Sequence, residues 1–155
     1  LRVLVNQGGD EVAEAALADF YAQWKDDALV VNQWLTVQAG SSVKGTVDHI
    51  NALIGHEAFD WRNPNKVRSV IGAFANQALS QFHREDGSGY KLLADAVIRL
   101  NESNPQIASR LLTPLTRWKR LVPSQSHLMK AELQRIMDNG SLSKDVYEVV
   151  SKSLA

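Results

Sequence analysis

The chain contains no cysteine. That excludes disulfides, thiolate metal ligands and a cysteine nucleophile, and it is compatible with a reducing, cytoplasmic setting. It has no excess charge: 17 basic and 17 acidic side chains leave a formal net charge of zero. A broad nucleic-acid or anionic-membrane surface is therefore not expected. No apolar run approaches the roughly 20 residues that span a bilayer, and no basic-then-apolar leader opens the chain. No methionine stands at position 1. Leu1 is a poor natural start, so the expectation is a piece of a longer protein or a processed product. Convincing strand pairs, low-complexity tracts and an internal linker are also missing, and residues 1–155 read as a single domain.

What is present is apolar material at helical spacing. The 155 residues are 45% hydrophobic and 22% charged, enough for a real core. The stretch from Asn63 to Arg110 organises the rest, because it holds two helix starts of one design. One is Asn63-Pro64-Asn65-Lys66-Val67-Arg68, the other Asn104-Pro105-Gln106-Ile107-Ala108-Ser109-Arg110. Asparagine caps the free N–H groups of a first turn, and proline suits the first helical position, where its missing N–H costs nothing. The two prolines lie 41 residues apart and the two arginines 42.

Around this pair the periodicity predicts a run of helices. Leu1–Val5 reads as a short strand or a helix end, broken by Asn6–Gly9. Asp10 then caps a helix with Val12, Ala16, Phe20 and Trp24 as its apolar stripe. Helices follow from Leu29 to Ala39, with Val30, Trp34 and Val37 on one face, and from about Thr46 to Ile54. Phe59 and Trp61 are expected to be buried in a turn. The Asn63-Pro64 helix runs to about Asn76, and a short turn carries Leu79 and Phe82. Ser88 is expected to cap a helix reaching Glu102, with Leu92, Leu93, Ala96, Val97 and Leu100 inward. The Asn104-Pro105 helix contains Pro114 and is expected to kink near Arg110. Pro123 and Ser143 open the last two helices. The fold class is all-α: a superhelical array of about eight helices in antiparallel pairs, HEAT- or armadillo-like.

Few motifs carry chemistry. His56-Glu57-Ala58-Phe59-Asp60 is half of a zinc-peptidase motif, but Asp60 stands where the second histidine belongs, so a surface turn is the better reading. His49, His83 and His127 lack partners at ligand spacing, and no Gly-x-Ser-x-Gly is present. Asp86-Gly87-Ser88-Gly89 lacks the lysine of a phosphate loop and reads as a tight turn. Arg117-Trp118-Lys119-Arg120 reads as cations at a helix C-terminus facing water. Arg68 and Arg110 are the candidates for ligand contact. A cation near a helix N-terminus gains nothing from the dipole, yet both helices place one about one turn in. A guanidinium suits carboxylates and peptide carbonyls, while a structural salt bridge to Glu85, Asp86 or Asp95 is the competing role.

At these same residues the chain resembles a known family. Asn63 to Phe74, Phe82-His83-Arg84-Glu85-Asp86-Gly87-Ser88-Gly89-Tyr90, and Asn104 to Leu111 are similar to strings in the C-terminal domain of bacterial aminopeptidase N, an M1-class zinc metallopeptidase. The likeness runs from about Ala16 to Ala155. It implies a superhelical domain that packs on the catalytic domain of the same parent chain and closes a large internal cavity. It also implies that zinc and its His-Glu-x-x-His motif lie upstream, so this fragment holds no catalytic residue, metal or cofactor and is inactive alone. Arg68 and Arg110 match arginines that face the cavity and meet bound peptide. The alternative is a stand-alone helical-repeat scaffold for a partner protein. Burial of Trp24, Trp34, Trp61 and Trp118 together would weigh against an aromatic binding face in that case.

Overall fold

Helix starts in this chain are set by short polar side chains and proline. Asp27 accepts from the backbone N–H groups of Leu29 and Val30, Asn63 from those of Asn65 and Lys66, Asn104 from that of Ile107, and Ser143 from that of Val146. Pro64, Pro105 and Pro123 occupy first-turn positions where no N–H is needed. The structure is a computed structural model and describes residues 11–41 and 45–155. The expectations for Leu1–Val5, for the break at Asn6–Gly9 and for the Asp10 cap lie outside the described residues.

The elements run α1 (Glu11–Trp24), α2 (Ala28–Ala39), α3 (Thr46–Ile54), α4 (Pro64–Val67), a π-helical segment Arg68–Gly72, α5 (Ala73–Gln77), α6 (Leu79–Phe82), α7 (Ser88–Ser103), α8 (Pro105–Leu111), α9 (Thr113–Thr116), a 3-10 turn Trp118–Arg120, α10 (Pro123–Met137) and α11 (Lys144–Leu154). Residues 64–77 count as one rod, as do 105–116 despite a break at Leu112. The described residues then form eight rods and two short turns, Leu79–Phe82 and Trp118–Arg120, with no strand. The fold is all-α, as the periodicity predicts.

Two compact units divide the chain, one ending at Gln81 and the other beginning at Phe82. In the first, α2 is the centre. It packs on α1, on α3 and on the π segment. Val31, Leu35, Ile50, Val70, Ile71 and Phe74 are fully or almost fully buried there. Burying each such side chain contributes about 1.5–3 kcal/mol. The Trp34 indole donates to the Leu17 carbonyl at 2.9 Å, which ties α2 to α1 and satisfies the one polar atom of a buried ring.

In the second unit α7 is the centre, packed on α8 and α10, with α11 against α8 and α10. Leu93, Val97 and Leu100 face the core, as expected, together with Leu112, Leu115, Met129, Leu133, Ile136, Val146 and Val150. Buried Asn101 donates to the Ser141 carbonyl at 2.7 Å and accepts from the Ser143 N–H at 2.8 Å. Both ends of its amide are satisfied, so the turn before α11 is pinned to α7.

Some expectations are corrected. Val12 is 62% exposed and Trp24 41% exposed, and the buried stripe of α1 is Ala13 and Leu17. Both stripes have helical spacing, and contact with α2 through Leu17 decides between them. Trp61 is half-buried rather than buried, resting edge-on against buried Phe59. In α2 the deepest residues are Val31, Trp34 and Leu35, with Val30 and Val37 at the flank. Ser88 is the first helical residue of α7 and does not cap it. Gly87 holds the cap position with φ +75°, and the Asp86 carboxylate accepts from the Ser88 N–H at 3.0 Å and the Ser88 hydroxyl at 2.7 Å. Positive φ is the reason for glycine there.

Candidate functional site

Both Asn-Pro helices lose regularity one to two turns in, close to their arginine. In the first, Ser69 donates its hydroxyl back to the Asn65 carbonyl at 2.7 Å. Thr36 of α2 donates to the Ser69 carbonyl at 3.2 Å. Back-bonding of this kind bends helices, and an outside donor takes up a carbonyl of the ladder. The helix widens accordingly. The Ala73 N–H reaches the Arg68 carbonyl, five residues back, and Arg68 opens the π segment. Such π segments recur at functional sites. In the second helix Pro114 has no N–H to give the Arg110 carbonyl. Thr113 donates its hydroxyl to that carbonyl at 3.0 Å instead, and the helix breaks at Leu112, two residues past the expected place.

Arg68 and Arg110 are both exposed. Arg68 Nη2 donates to the Asn65 side-chain oxygen at 2.6 Å. Two of the three carboxylates proposed as salt-bridge partners are committed elsewhere: Asp86 pairs with Arg84 at 3.1 Å and Asp95 with Arg135 at 2.8 Å, and Glu85 pairs with neither arginine. Among the described residues, neither Arg68 nor Arg110 forms an ion pair. Arg68 belongs to the unit ending at Gln81 and Arg110 to the unit beginning at Phe82.

The remaining motifs are occupied by structural work. His56 Nδ1 accepts from the Ala58 N–H at 3.0 Å, and its ring meets Tyr21 edge-on. Tyr21 donates to Glu57 at 2.9 Å, and burial followed by that carboxylate pushes the phenol pKa up. The Asp60 carboxyl is held below its usual range by the Arg62 N–H and guanidinium. His49 Nε2 lies 2.8 Å from the Gln38 side-chain oxygen. His83 Nδ1 and the hydroxyl of fully buried Tyr90 share a 2.7 Å hydrogen bond, and Gln125 donates to the His83 carbonyl at 2.9 Å. Burial lowers the His83 pKa and pushes Tyr90 up to about 12.

The glycine loop is a packing device. A Cβ on Gly89 would stand 2.8 Å from the Phe82 Cα and carbonyl carbon, inside contact distance. The Asp86 carboxyl is held low by the Ser88 hydroxyl and N–H, so it fills the turn where an anion would have to sit. In the basic cluster, the Trp118 indole donates to the Ser153 carbonyl at 3.1 Å and the Lys130 ammonium sits 5.2 Å from its ring centre. Of the four tryptophans only Trp34 is buried, Trp61 and Trp118 are half-buried, and Trp24 is exposed. Sequence reasoning missed Asn65, Thr36 and Thr113. Only Asn65 left a signal, its i, i+3 spacing to Arg68.

A family model described as "Domain of unknown function (DUF3458_C) ARM repeats" matches residues 1–155. The chain belongs to this family. Curated relatives of this ARM-repeat domain include aminopeptidase N of Haemophilus influenzae, 43% identical over 141 residues, and aminopeptidase N of Escherichia coli, 39% identical over 142 residues. Aminopeptidase N of Caulobacter vibrioides is 38% identical over 141 residues. Each match takes in 91% or 92% of the ARM-repeat domain but only 16% of the relative. Among solved structures, Legionella pneumophila aminopeptidase A in complex with aspartic acid is similar, with a TM-score of 0.88 and 35% identity. That likeness covers 93% of the ARM-repeat domain and 17% of the larger chain.

Proposed function

We propose that this chain is the C-terminal helical domain of an M1-class zinc aminopeptidase that removes N-terminal residues from peptides. In this reading it packs on the catalytic domain of the same parent chain and closes its cavity. It presents Arg68 and Arg110 to bound peptide and is inactive alone. The carrying observation is the 38–43% identity to proteins named aminopeptidase N, over nine-tenths of this chain and 16% of theirs. Support for the arginines is that both are exposed and neither is neutralised by a carboxylate among the described residues.

No three His, Cys, Asp or Glu side chains are grouped to hold a metal ion among the described residues. Three histidines use a ring nitrogen for Ala58, Gln38 and Tyr90. These residues do not fit a zinc site, so no hydrolytic step is assigned to them, and the zinc of the proposal belongs to the rest of the parent. The parent is proposed to be cytoplasmic. No helix among the described residues is long and apolar enough to cross a membrane.

The test is made in the parent enzyme with Arg68→Ala and Arg110→Ala combined. The expected result is KM raised about fivefold or more for peptides, the scale of a lost charge-assisted contact discounted for exposure. Zinc content should be unchanged. Unaltered kinetics across peptides of several lengths would remove the arginines from the proposal.

A further inference from the structure

Arg68 lies four residues after Pro64 and Arg110 five after Pro105, and their surroundings differ. Arg68 Nη2 donates to the Asn65 side-chain oxygen over 2.6 Å, a short contact for an N–H donor, just under the usual range of about 2.7–3.2 Å. Asn65 is itself held, since its N–H donates to the Asn63 cap at 3.0 Å. Its carbonyl receives the Ser69 hydroxyl at 2.7 Å. Asn65 is thus bonded through its backbone N–H, its backbone carbonyl and its side chain. In the other helix, position 107, three before Arg110, carries buried Ile107, which has no acceptor to offer. Gln106, four before, makes no side-chain bond to Arg110 among the described residues; its carbonyl takes the Ser109 hydroxyl at 2.9 Å.

We infer that Asn65 is a positioning residue for Arg68. It rests on the reading that Arg68 meets the peptide. A long flexible cation loses rotamer freedom when it binds, and a side chain already fixed loses less. Asn65 is uncharged, so it anchors one edge of the guanidinium without neutralising it. The other donors stay available to a carboxylate or carbonyl. The Ser69 back-bond and the π segment that begins at Arg68 set the turn on which this pair sits. Arg68 is therefore the fixed contact and Arg110 the adaptable one.

A double-mutant cycle in the parent enzyme tests this. Asn65→Ala should raise KM for a peptide about threefold with kcat unchanged, an exposed charge-assisted bond being of that size. The same substitution in an Arg68→Ala background should change nothing further, and in an Arg110→Ala background it should keep its full effect. Asn65→Gln keeps an uncharged acceptor and should bring KM back toward the parent value, whereas Asn65→Asp neutralises the guanidinium and should not. If Asn65→Ala acts equally with and without Arg68, its role is structural and the inference falls. If Arg68→Ala changes KM but Asn65→Ala does not, the inference alone fails. If Arg68→Ala leaves KM alone, the reading beneath it fails too. Melting temperatures of the variants separate loss of fold from loss of positioning.

Discussion

Gly89→Ala isolates one close approach. Gly89 lies in the first turn of α7, and a methyl there would meet the carbonyl carbon and Cα of Phe82 at 2.8 Å. Those are backbone atoms, and the Phe82 ring is buried against Tyr90 with ring centres 5.1 Å apart, so neither side yields easily. Overpacking of this kind costs about 1–3 kcal/mol. The helix gains up to about 1 kcal/mol when glycine becomes alanine. The net expectation is a loss of about 1–2 kcal/mol. For a chain of this length that is a fall of about 2–8 °C in melting temperature, at roughly 2–4 °C per kcal/mol. Gly55→Ala is the control. Gly55 has φ −84°, and its nearest neighbour for a Cβ is the Ala52 carbonyl oxygen at 3.6 Å, an ordinary contact. It should change stability by less than about 0.5 kcal/mol or raise it. Urea unfolding followed by circular dichroism and by tryptophan emission reads both. Trp118 is the single tryptophan of the second unit, so its signal should report the Gly89 effect. A Gly89→Ala protein as stable as the parent sequence would refute the close-approach argument.

Other residues give independent tests. Asn63→Ala should cost about 1 kcal/mol in a thermal melt, and Asn104→Ala no more than that, because Asn63 accepts two backbone N–H groups and Asn104 one at 3.3 Å. Thr113→Val should cost about 0.5–1 kcal/mol by leaving the Arg110 carbonyl without its hydroxyl donor, a loss that urea titration detects. His83 has a pKa below its usual 6.5 in the fold because burial disfavours the cation. The unfolded chain therefore binds more protons just below pH 6.5. This contribution to stability is complete above that pH and is lost as pH falls toward the lower folded pKa. Melting temperature measured from pH 7.5 to 5 should fall more steeply for the parent sequence than for His83→Gln, and equal slopes would show that His83 is not the group responsible.

The features legible in the sequence were those set by neighbouring residues. Asn63, Asn104 and Ser143 cap their helices because a short side chain reaches its own first turn whatever the core does. The inward face of α7 was legible because Leu93, Val97 and Leu100 offer only one apolar stripe. Features that depend on contact between elements were not. Helix α1 has two candidate stripes, and packing against α2 selects Ala13 and Leu17 over Val12 and Trp24. The π segment at Arg68 depends partly on Thr36, which lies 33 residues before Ser69. Gly89 looked like part of a loop until its contact with Phe82 was visible. In the sequence the arginines stand out as cations near a helix N-terminus, but Arg110 lies in the last turn of α8, where the dipole favours a cation. That cue is local, whereas the commitment of Asp86 and Asp95 to other partners is not.

The measurement that tests the account most directly is the size and activity of the native protein recovered from its source with an antibody raised to this chain. The account predicts a polypeptide about six times as long as these 155 residues, since the curated relatives are matched over 16% of their length. Its aminopeptidase activity should be lost to a chelator and restored by zinc. A protein of 17.2 kDa without peptidase activity, bound to some other partner, would contradict it and leave a free-standing helical scaffold as the explanation.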